Sequence, residues 1–512
     1  MIAGSSVYNF LAVLTSGLGS FMYGFNSAVI GSIFGLPAFF EYFDLTLTGK
    51  ESAPIIGATN GLFAGGGLLG CILVPSLSDR IGRVRAIQII CVLGVVSAAL
   101  QASSVHIAMF LAGRFMNGLA AGMINATVPV YQSEISPAQT RGRLVSTHGI
   151  FLVLGYSGSA WSGFGLYFAK HPQLQWRLCL ALQAVAPGVL GLASPWIPES
   201  PRWLVMTGSS DKALRTLERL HQKPGETDHE LARSEFAQIT LQLDMHPRNE
   251  NIFSLLKTST NRKRFFAGIF VQFITQCTGI LVVNNYQIML WESIGQTGSR
   301  PLLLYAVYLT WASVLNVVSS MIVDRVGRVR LLCIGVAGLV CMLSVFVGLF
   351  SNFAGSDNEV GKVMCIVTLF LWLTFYATCI DAVCFVYVSE IFPTQMRSKG
   401  VAASVGALFA VTLILTQSAA TAFADIGWKF YLVFIIVPAC GLPILWRLPE
   451  TKGLSLEEIA AVFGDDDYYV DSAVITSKDV EGQHGEVRKL TSTKKLRDAD
   501  LKTACRASRA EV

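Results

Sequence analysis

Charge is scarce in this chain of 512 residues: Asp, Glu, Lys and Arg make up 14% of it, whereas 52% of the residues are hydrophobic. A typical soluble domain has about 25% charged residues. The composition therefore excludes an ordinary soluble protein and indicates that much of the chain is embedded in lipid. The net charge of +5 is small for this length and does not indicate nucleic-acid binding.

Several kinds of site are also missing from the sequence. Ten of the eleven cysteines fall in apolar stretches and Cys505 lies near the end, so they do not form the spaced framework of a disulfide-rich secreted domain. We expect no cleavable signal peptide, because the first apolar stretch is long enough to span a bilayer. The apolar stretches contain no nucleophile–base pair and no metal-ligand spacing. We therefore expect neither an enzyme nor a cofactor or metal.

The sequence instead contains twelve apolar stretches of about 20 residues, the length at which a helix crosses a bilayer. The short loops that lead from even-numbered to odd-numbered spans hold ten Lys and Arg, against six in the loops on the other side. This excess predicts that both termini face the cytoplasm. The expected domains are an N-terminal six-helix bundle at 1–196, a cytoplasmic linker with short helices at 197–264, a C-terminal six-helix bundle at 265–448 and a cytoplasmic, largely disordered tail at 449–512.

A charged signature occurs twice, about 250 residues apart. The first copy reads Asp79-Arg80-Ile81-Gly82-Arg83, and the second reads Asp324-Arg325-Val326-Gly327-Arg328. Charge at the ends of membrane spans is costly and is seldom kept without a use, and repetition between two halves is typical of secondary transporters. We expect the gating charges between the halves to be Asp79, Arg83, Glu134, Arg141, Asp324, Arg328, Glu390 and Arg397. The alternative is that these residues only fix orientation and cap helices.

Five further elements, in order along the chain, indicate a family. They are Gly113-Arg114 followed by Gly118 and Gly122, Pro129-Val130-Tyr131 followed by Glu134, Pro198-Glu199-Ser200-Pro201-Arg202, Tyr387 followed by Glu390-Ile391-Phe392-Pro393, and Pro449-Glu450-Thr451-Lys452-Gly453. With them the chain resembles, over about residues 20–463, the sugar porter family of the major facilitator superfamily, in its fungal form.

The resemblance implies an all-α membrane protein with twelve transmembrane helices in two pseudo-symmetric six-helix bundles, the major facilitator fold. It also implies a secondary transporter that moves a small solute, a sugar or sugar-like molecule, by alternating access. We expect a monomer in the lipid bilayer of the plasma membrane. Its partners would be the small-molecule solute and, if transport is coupled, protons, with no nucleic acid.

Three residues bear on coupling to protons. In proton-coupled members of the family, an Asp in the first helix partners the Arg that corresponds to Arg114; here that position is Asn26. An amide does not bind and release protons, so the resemblance implies passive transport. Asp381 in the tenth span reopens the question, because intramembrane acids are usually functional. It is a relocated proton carrier, an acceptor for substrate hydroxyls, a partner for Arg114 or a helix-packing residue.

The amides that bind sugar in this family are partly absent. The family's Asn in the seventh span is Leu281 here, its Gln in the fifth span is Gly149, its Trp in the tenth span is Phe385, and its Asn-Trp pair in the eleventh span is Leu408-Phe409. We therefore expect a cavity less hydrophilic than a hexose site. The expected substrate-binding residues are Gln276, Thr278, Gly279, Asn284, Asn285, Asp381, Phe385 and His148, although a single His in a span is also typical of a packing hydrogen bond.

Two other functions fit the same fold. An exporter of a less polar metabolite suits the missing amides. A nutrient sensor that binds without transporting is the third interpretation, and it would be favoured by a signalling tail longer than the roughly 60 residues present here.

Overall fold

The structure is a computed structural model of the chain. It describes residues 7–45, 52–137, 141–222, 230–244, 258–353, 356–393 and 396–454, together with 459 and 462–464. All of these belong to one compact unit, Met1–Asp465. The tail predicted at 449–512 falls largely outside the described residues, which end at 464.

The first half of the described chain is helical throughout. Its helices are α1 Val7–Phe34, α2 Pro37–Tyr42, α3 Ala53–Ile81, α4 Arg83–Ala102, α5 Ile107–Ile135, α6 Arg141–Tyr167, α7 Pro172–Ala181 and α8 Val185–Ala193. A single 3₁₀ turn joins α7 to α8, and the two helices form one apolar stretch, Pro172–Trp196. The first half therefore supplies six spans, with α2 as a short helix between the first and the second.

A linker of three short helices leads to the second half. The linker helices are α9 Pro201–Met206, α10 Ser210–His221 and α11 Glu230–Asp244. The helices of the second half are α12 Ser259–Cys277, α13 Ile280–Ser293, α14 Arg300–Val326, α15 Arg328–Phe353, α16 Glu359–Cys379, α17 Asp381–Ile391, α18 Arg397–Ile426 and α19 Val433–Trp446.

The number of spans agrees with the sequence prediction of twelve. Nine helical stretches among the described residues are long and apolar enough to cross a membrane, and one of them, Arg397–Trp446, contains both α18 and α19. Helices α1 and α6 occupy the positions of the first and fifth predicted spans. Large apolar side chains such as Leu192 and Ile414 are exposed on the outside. Such surfaces would be unfavourable in water, but they are what lipid tails require.

Two of the spans are interrupted. The seventh breaks between α12 and α13 at Gly279, whose φ of 84° lies in the left-handed region that glycine adopts most easily. The tenth breaks between α16 and α17 at Ile380, so that Asp381 becomes the first residue of a new helix. Broken membrane helices are stable where the freed backbone faces protein or a cavity. Both interruptions therefore indicate a site at the centre of the bundle.

Helix packing within the first half depends on close approach of backbones. A Cβ atom at Gly118 or Gly122 of α5 would collide with the main chain of α3, at Phe63 and at Gly67 respectively. Small residues at such crossings are common in membranes, where helix association relies on close packing. The two halves in turn touch most extensively along α3 against α18 and α6 against α14, with smaller contacts of α1 with α13, α5 with α18 and α6 with α17.

We predict that Gly122→Ala lowers stability by roughly 1–3 kcal/mol, the range typical of overpacking, because the obstructing atoms belong to the main chain of α3 and cannot swing away. The matched control is Gly165→Ala in α6, where an added Cβ meets nothing within 4 Å. Thermal unfolding of the purified variants checks both. Equal melting temperatures for the two variants would contradict the packing argument.

Candidate functional site

The first copy of the charged signature forms a buried cluster around Arg83, the first residue of α4. Its guanidinium donates to both oxygens of Glu134 at 3.0 and 3.1 Å and to Asp79 Oδ1 at 3.2 Å. A bidentate arginine–carboxylate pair of this kind is strong and geometrically specific. Arg83 and Glu134 are almost fully buried, so loss of Glu134 leaves this buried guanidinium with the more exposed Asp79 as its carboxylate partner, which is costly.

The second copy repeats the same arrangement in the other half. The Arg328 guanidinium lies 3.0 Å from Asp324 Oδ1 and 3.0 Å from Glu390 Oε1. Thr451 donates to the other oxygen of Glu390 at 2.7 Å. We call the end of the bundle that carries Asp79, Arg83, Glu134, Arg328 and Glu390 the charged end.

Two further glutamates cap the helices that begin at the charged end. Glu199 accepts from the main-chain N–H groups of Arg83 (2.9 Å) and Val84, and Glu450 accepts from those of Arg328 (2.7 Å) and Val329 (3.0 Å). A carboxylate at a helix N-terminus satisfies donors that lack an intrahelical partner and lies at the positive end of the helix dipole. Burial raises the pKa of the Glu199 carboxyl above its ordinary value, and the backbone donors act against that shift. The motif that follows each bundle, with Glu199 or Glu450, therefore caps the helix that begins at Arg83 or Arg328.

The two halves meet at the charged end through α3 and α18. The Ser398 hydroxyl lies 3.4 Å from Asp79 Oδ1, and the charge of Lys399 acts on the same carboxylate. The arginine–carboxylate pairs given above each join residues of one half, which differs from the expected pairing across the halves. Arg397 is buried and donates to Phe392 O at 3.4 Å. Arg141 begins α6, but its side chain lies outside the described part.

Arg114 is fully buried about two turns from the start of α5. It donates to the main-chain oxygens of Asn26 (3.2 Å) and Thr59 (3.4 Å), and its guanidinium lies 4.4 Å from the centroid of the Phe63 ring. Among the described residues no carboxylate pairs with it, so Asp381 is not its partner. The Asn26 side chain makes no hydrogen bond within the described chain. Carbonyl dipoles and an aromatic face hold this charge in place of an acid.

A cavity lies at the centre of the bundle, between the two halves. Its volume of about 20 Å³ holds little more than one water molecule. It must widen to accept a solute, because pockets for small molecules usually measure about 300 Å³ or more. The polar residues of its wall are Tyr23, Tyr156, Gln276, Asn284, Tyr376 and Asp381, and the apolar ones are Leu152, Val153, Ile280, Leu281, Leu309, Ala312, Leu373, Ala377, Phe385 and Leu408.

Asp381 faces this cavity from the break in the tenth span. Its Oδ2 accepts from Asn316 Nδ2 of α14 at 2.9 Å. Its position in the first turn of α17 favours a carboxylate there. A buried acid with one amide partner and no cation is costly to keep charged, so this group is suited to exchange protons or to accept hydrogen bonds from a solute.

Four of the eight expected substrate-binding residues line the cavity: Gln276, Asn284, Asp381 and Phe385. The other four lie elsewhere. The Thr278 hydroxyl donates to Thr275 O at 2.6 Å, Gly279 supplies the helix break, and Asn285 is buried away from the lining. His148 Nδ1 lies 2.7 Å from Ser20 Oγ, and its ring packs edge-on against Phe385 with 4.9 Å between centroids.

The absence of a Gln at Gly149 has a geometric cause. A Cβ at Gly149 would collide with Ala382, because α6 and α17 approach closely at this point. A side chain at position 149 would therefore meet helix α17. Leu281 and Leu408 line the cavity, as expected for a less hydrophilic site.

The three tyrosines and Asn316 were not among the residues expected at the site. Tyr156 of α6 hydrogen-bonds with Tyr23 and Ser27 of α1, and Tyr376 of α16 completes the polar wall around Asp381. A tyrosine in an apolar span looks like a packing residue. The available signal was that three spans each carry a tyrosine near mid-length. Only the tertiary arrangement brings these tyrosines together.

Known proteins with similar sequences and folds are transporters. A family model described as "Sugar (and other) transporter" matches residues 12–463. The chain is 33% identical over 455 residues to the MFS-type transporter criB of Aspergillus cristatus (88% of this chain, 92% of the relative). It is 27% identical over 479 residues to the high-affinity glucose transporter of Kluyveromyces lactis (90% and 85%). In fold it resembles the proton:xylose symporter XylE bound to 6-bromo-6-deoxy-D-glucose, with a TM-score of 0.78 at 22% identity (89% and 99%).

We predict that Glu134→Gln destabilises the protein by about 3 kcal/mol, because it removes one charge from a buried pair. The control is Glu359→Gln, which alters an exposed pair with Lys362 on one helical turn and should cost less than about 0.5 kcal/mol. Denaturant or thermal unfolding in detergent measures the difference. A cost for Glu134→Gln no larger than that of the control would show that the buried cluster adds little to stability.

Proposed function

The chain belongs to the sugar (and other) transporter family, and from this premise we propose that it carries a small, ring-shaped, sugar-like solute across a membrane by alternating access. The solute is moved without being chemically changed. The observation that supports this most directly is the central cavity, to which both halves contribute polar side chains: Tyr23 and Tyr156 from the first, and Gln276, Asn284 and Asp381 from the second.

The closed cavity suits an intermediate state of such a cycle. On one flank Ser313 of α14 donates to Val153 O of α6 at 3.1 Å, and on the opposite side of the membrane from the charged end Tyr305 donates to Ala28 O at 3.3 Å. These are single neutral hydrogen bonds, each contributing about 1 kcal/mol. Contacts of that size can break and re-form, as the nearly balanced states of a transporter require.

The charged end acts in this proposal as the gate on the cytoplasmic side. The Arg83 and Arg328 clusters keep each half rigid, and the weaker contacts of Asp79 with Ser398 and Lys399 join the halves. The excess of Lys and Arg in the loops at this end supports its placement toward the cytoplasm. We propose a monomer in the plasma membrane.

Coupling to protons is either absent or runs through Asp381. Asn26 removes the acid of the first span, and Arg114 needs no acid because main-chain oxygens and Phe63 stabilise it. Asp381 is the acid that the cavity wall presents.

One observation favours a second candidate function, the export of a less polar metabolite. Ten of the sixteen residues of the cavity wall are apolar, including Leu281 and Leu408 where the family has amides. An aliphatic wall cannot replace amide hydrogen bonds to many hydroxyls. A solute with one or two hydroxyls on an apolar ring fits this wall as well as a hexose does.

Uptake in a yeast strain that lacks its own hexose carriers tests the proposed function. We predict saturable uptake of at least one labelled hexose, pentose or cyclitol, lowered about fivefold by Gln276→Ala, since the loss of one solute hydrogen bond is worth roughly 1 kcal/mol. Gln222→Ala, on the exposed linker, is the control. If correctly inserted protein takes up none of these solutes, the export function is favoured instead.

A protonophore separates the two forms of coupling. If the solute accumulates above its external concentration, we predict that the protonophore abolishes this accumulation. We further predict that Asp381→Asn only equilibrates the solute across the membrane and no longer accumulates it, because an amide does not bind and release protons. Unchanged accumulation by Asp381→Asn would remove this residue from the proton path.

A further inference from the structure

The cavity wall carries one acidic side chain and no basic one within the described chain. Asp381 is that acid, and its neighbours across the cavity are the hydroxyls of Tyr23 and Tyr156, with Tyr376 on its own span. Cys384 lies one turn further along α17 and donates to Asp381 O. No Lys, Arg or His is among the lining residues. The electrostatic character of the wall is therefore set by a single carboxyl.

The two buried basic groups near the cavity are already engaged. Arg114 is held by the main-chain oxygens of Asn26 and Thr59 and by the Phe63 ring. His148 is separated from the cavity by the Phe385 ring, against which it packs, and its Nδ1 is bonded to Ser20. Neither side chain can offer a positive charge to a solute without leaving these partners.

An anion is disfavoured whichever form Asp381 takes. An ionised Asp381 repels a second negative charge in a space shielded from water, where the effect on affinity exceeds tenfold. A protonated Asp381 offers one donor, but an anionic solute still loses its hydration with no cation to replace it. A cation, by contrast, supplies the partner that this buried carboxyl lacks, and a neutral hydroxyl can donate to it.

The rest of the wall limits the shape of the solute. Three tyrosines and Phe385 surround Asp381 with aromatic rings, and aliphatic residues fill the remainder. Aromatic walls bind the flat, apolar faces of a ring, and tyrosine hydroxyls and the amides of Gln276 and Asn284 bind groups at its edge. This arrangement suits a single ring with few polar substituents.

From these observations we propose that Asp381 makes the cavity selective for charge, so that it takes neutral or cationic single-ring solutes and rejects anionic ones. The inference rests on the proposed function, since it names the class of solute for the same cavity. It adds a role for Asp381 that does not depend on proton coupling.

Binding of matched probes to the purified full-length protein in lipid nanodiscs tests this selection. One set, at about pH 6, is glucose, glucosamine and glucuronate, and the other is benzyl alcohol, benzylamine and benzoate. Within a set, the ring is shared and the charge differs. We expect the neutral and cationic members of at least one set to bind at least tenfold more tightly than its anion.

Two variants assign the selection to the residue. Asp381→Asn replaces the carboxyl with an amide of the same size. We expect it to reduce the discrimination against the anion to less than threefold while the neutral probe still binds. Asp357→Asn changes an exposed acid and should leave the discrimination unaltered. The melting temperature of each variant, compared with that of the unchanged protein, shows that it is folded.

Three results would overturn the proposal: an anion that binds as tightly as its neutral counterpart, discrimination that survives Asp381→Asn, or failure of all six probes to bind. Any of these combined with saturable uptake of another solute leaves the proposed transport function standing and rejects only the solute class. Loss of uptake for every solute, with charge discrimination intact in the binding assay, would instead reject transport.

Discussion

The pairing of buried charge at one end of two lipid-embedded bundles is the interaction on which the rest of this structure depends. Lipid offers no water to solvate an arginine, so Arg83 and Arg328 must find carboxylates within the protein. Each pairs with the Asp at the end of the preceding span, Asp79 or Asp324, and with a Glu on another span of the same half. Glu199 and Glu450 then cap the N-terminus of the helices that begin at Arg83 and Arg328. Three spans of each half are thereby tied together at one end.

The arginine–carboxylate pairs described above lie within each half, and the contacts described between the halves are single hydrogen bonds, ring contacts and the charge of Lys399 near Asp79. Single hydrogen bonds such as Ser313 to Val153 O, and ring contacts such as His148 with Phe385, cross that surface. Strong bonding within the halves and weak bonding between them is the physical condition for rigid bundles that move against each other. The central cavity lies on this same surface, so a solute bound there touches both moving parts.

The sequence predicted the spans and the repeat, and four of the residues that it named as candidates line the central cavity. Apolar length alone determines where a helix crosses lipid, and helical register then places Gln276, Asn284, Asp381 and Phe385 toward the centre. The sequence did not predict the tyrosine wall or Asn316, because a side chain in an apolar span faces lipid, a neighbour or the cavity depending on packing. The sequence also did not predict the partner of each charged residue, since sequence spacing does not distinguish a neighbour in the same half from one across the interface.

The most direct test of this account is a pair of distances measured by pulsed electron resonance between spin labels on the two halves. One pair of labels at Arg80 and Arg325 reports the charged end, and another at Phe168 and Val360 reports the opposite end; all four side chains are exposed. With native cysteines replaced, the account predicts two populations in which one distance lengthens as the other shortens. Distances that stay fixed, or that lengthen and shorten together, would contradict it.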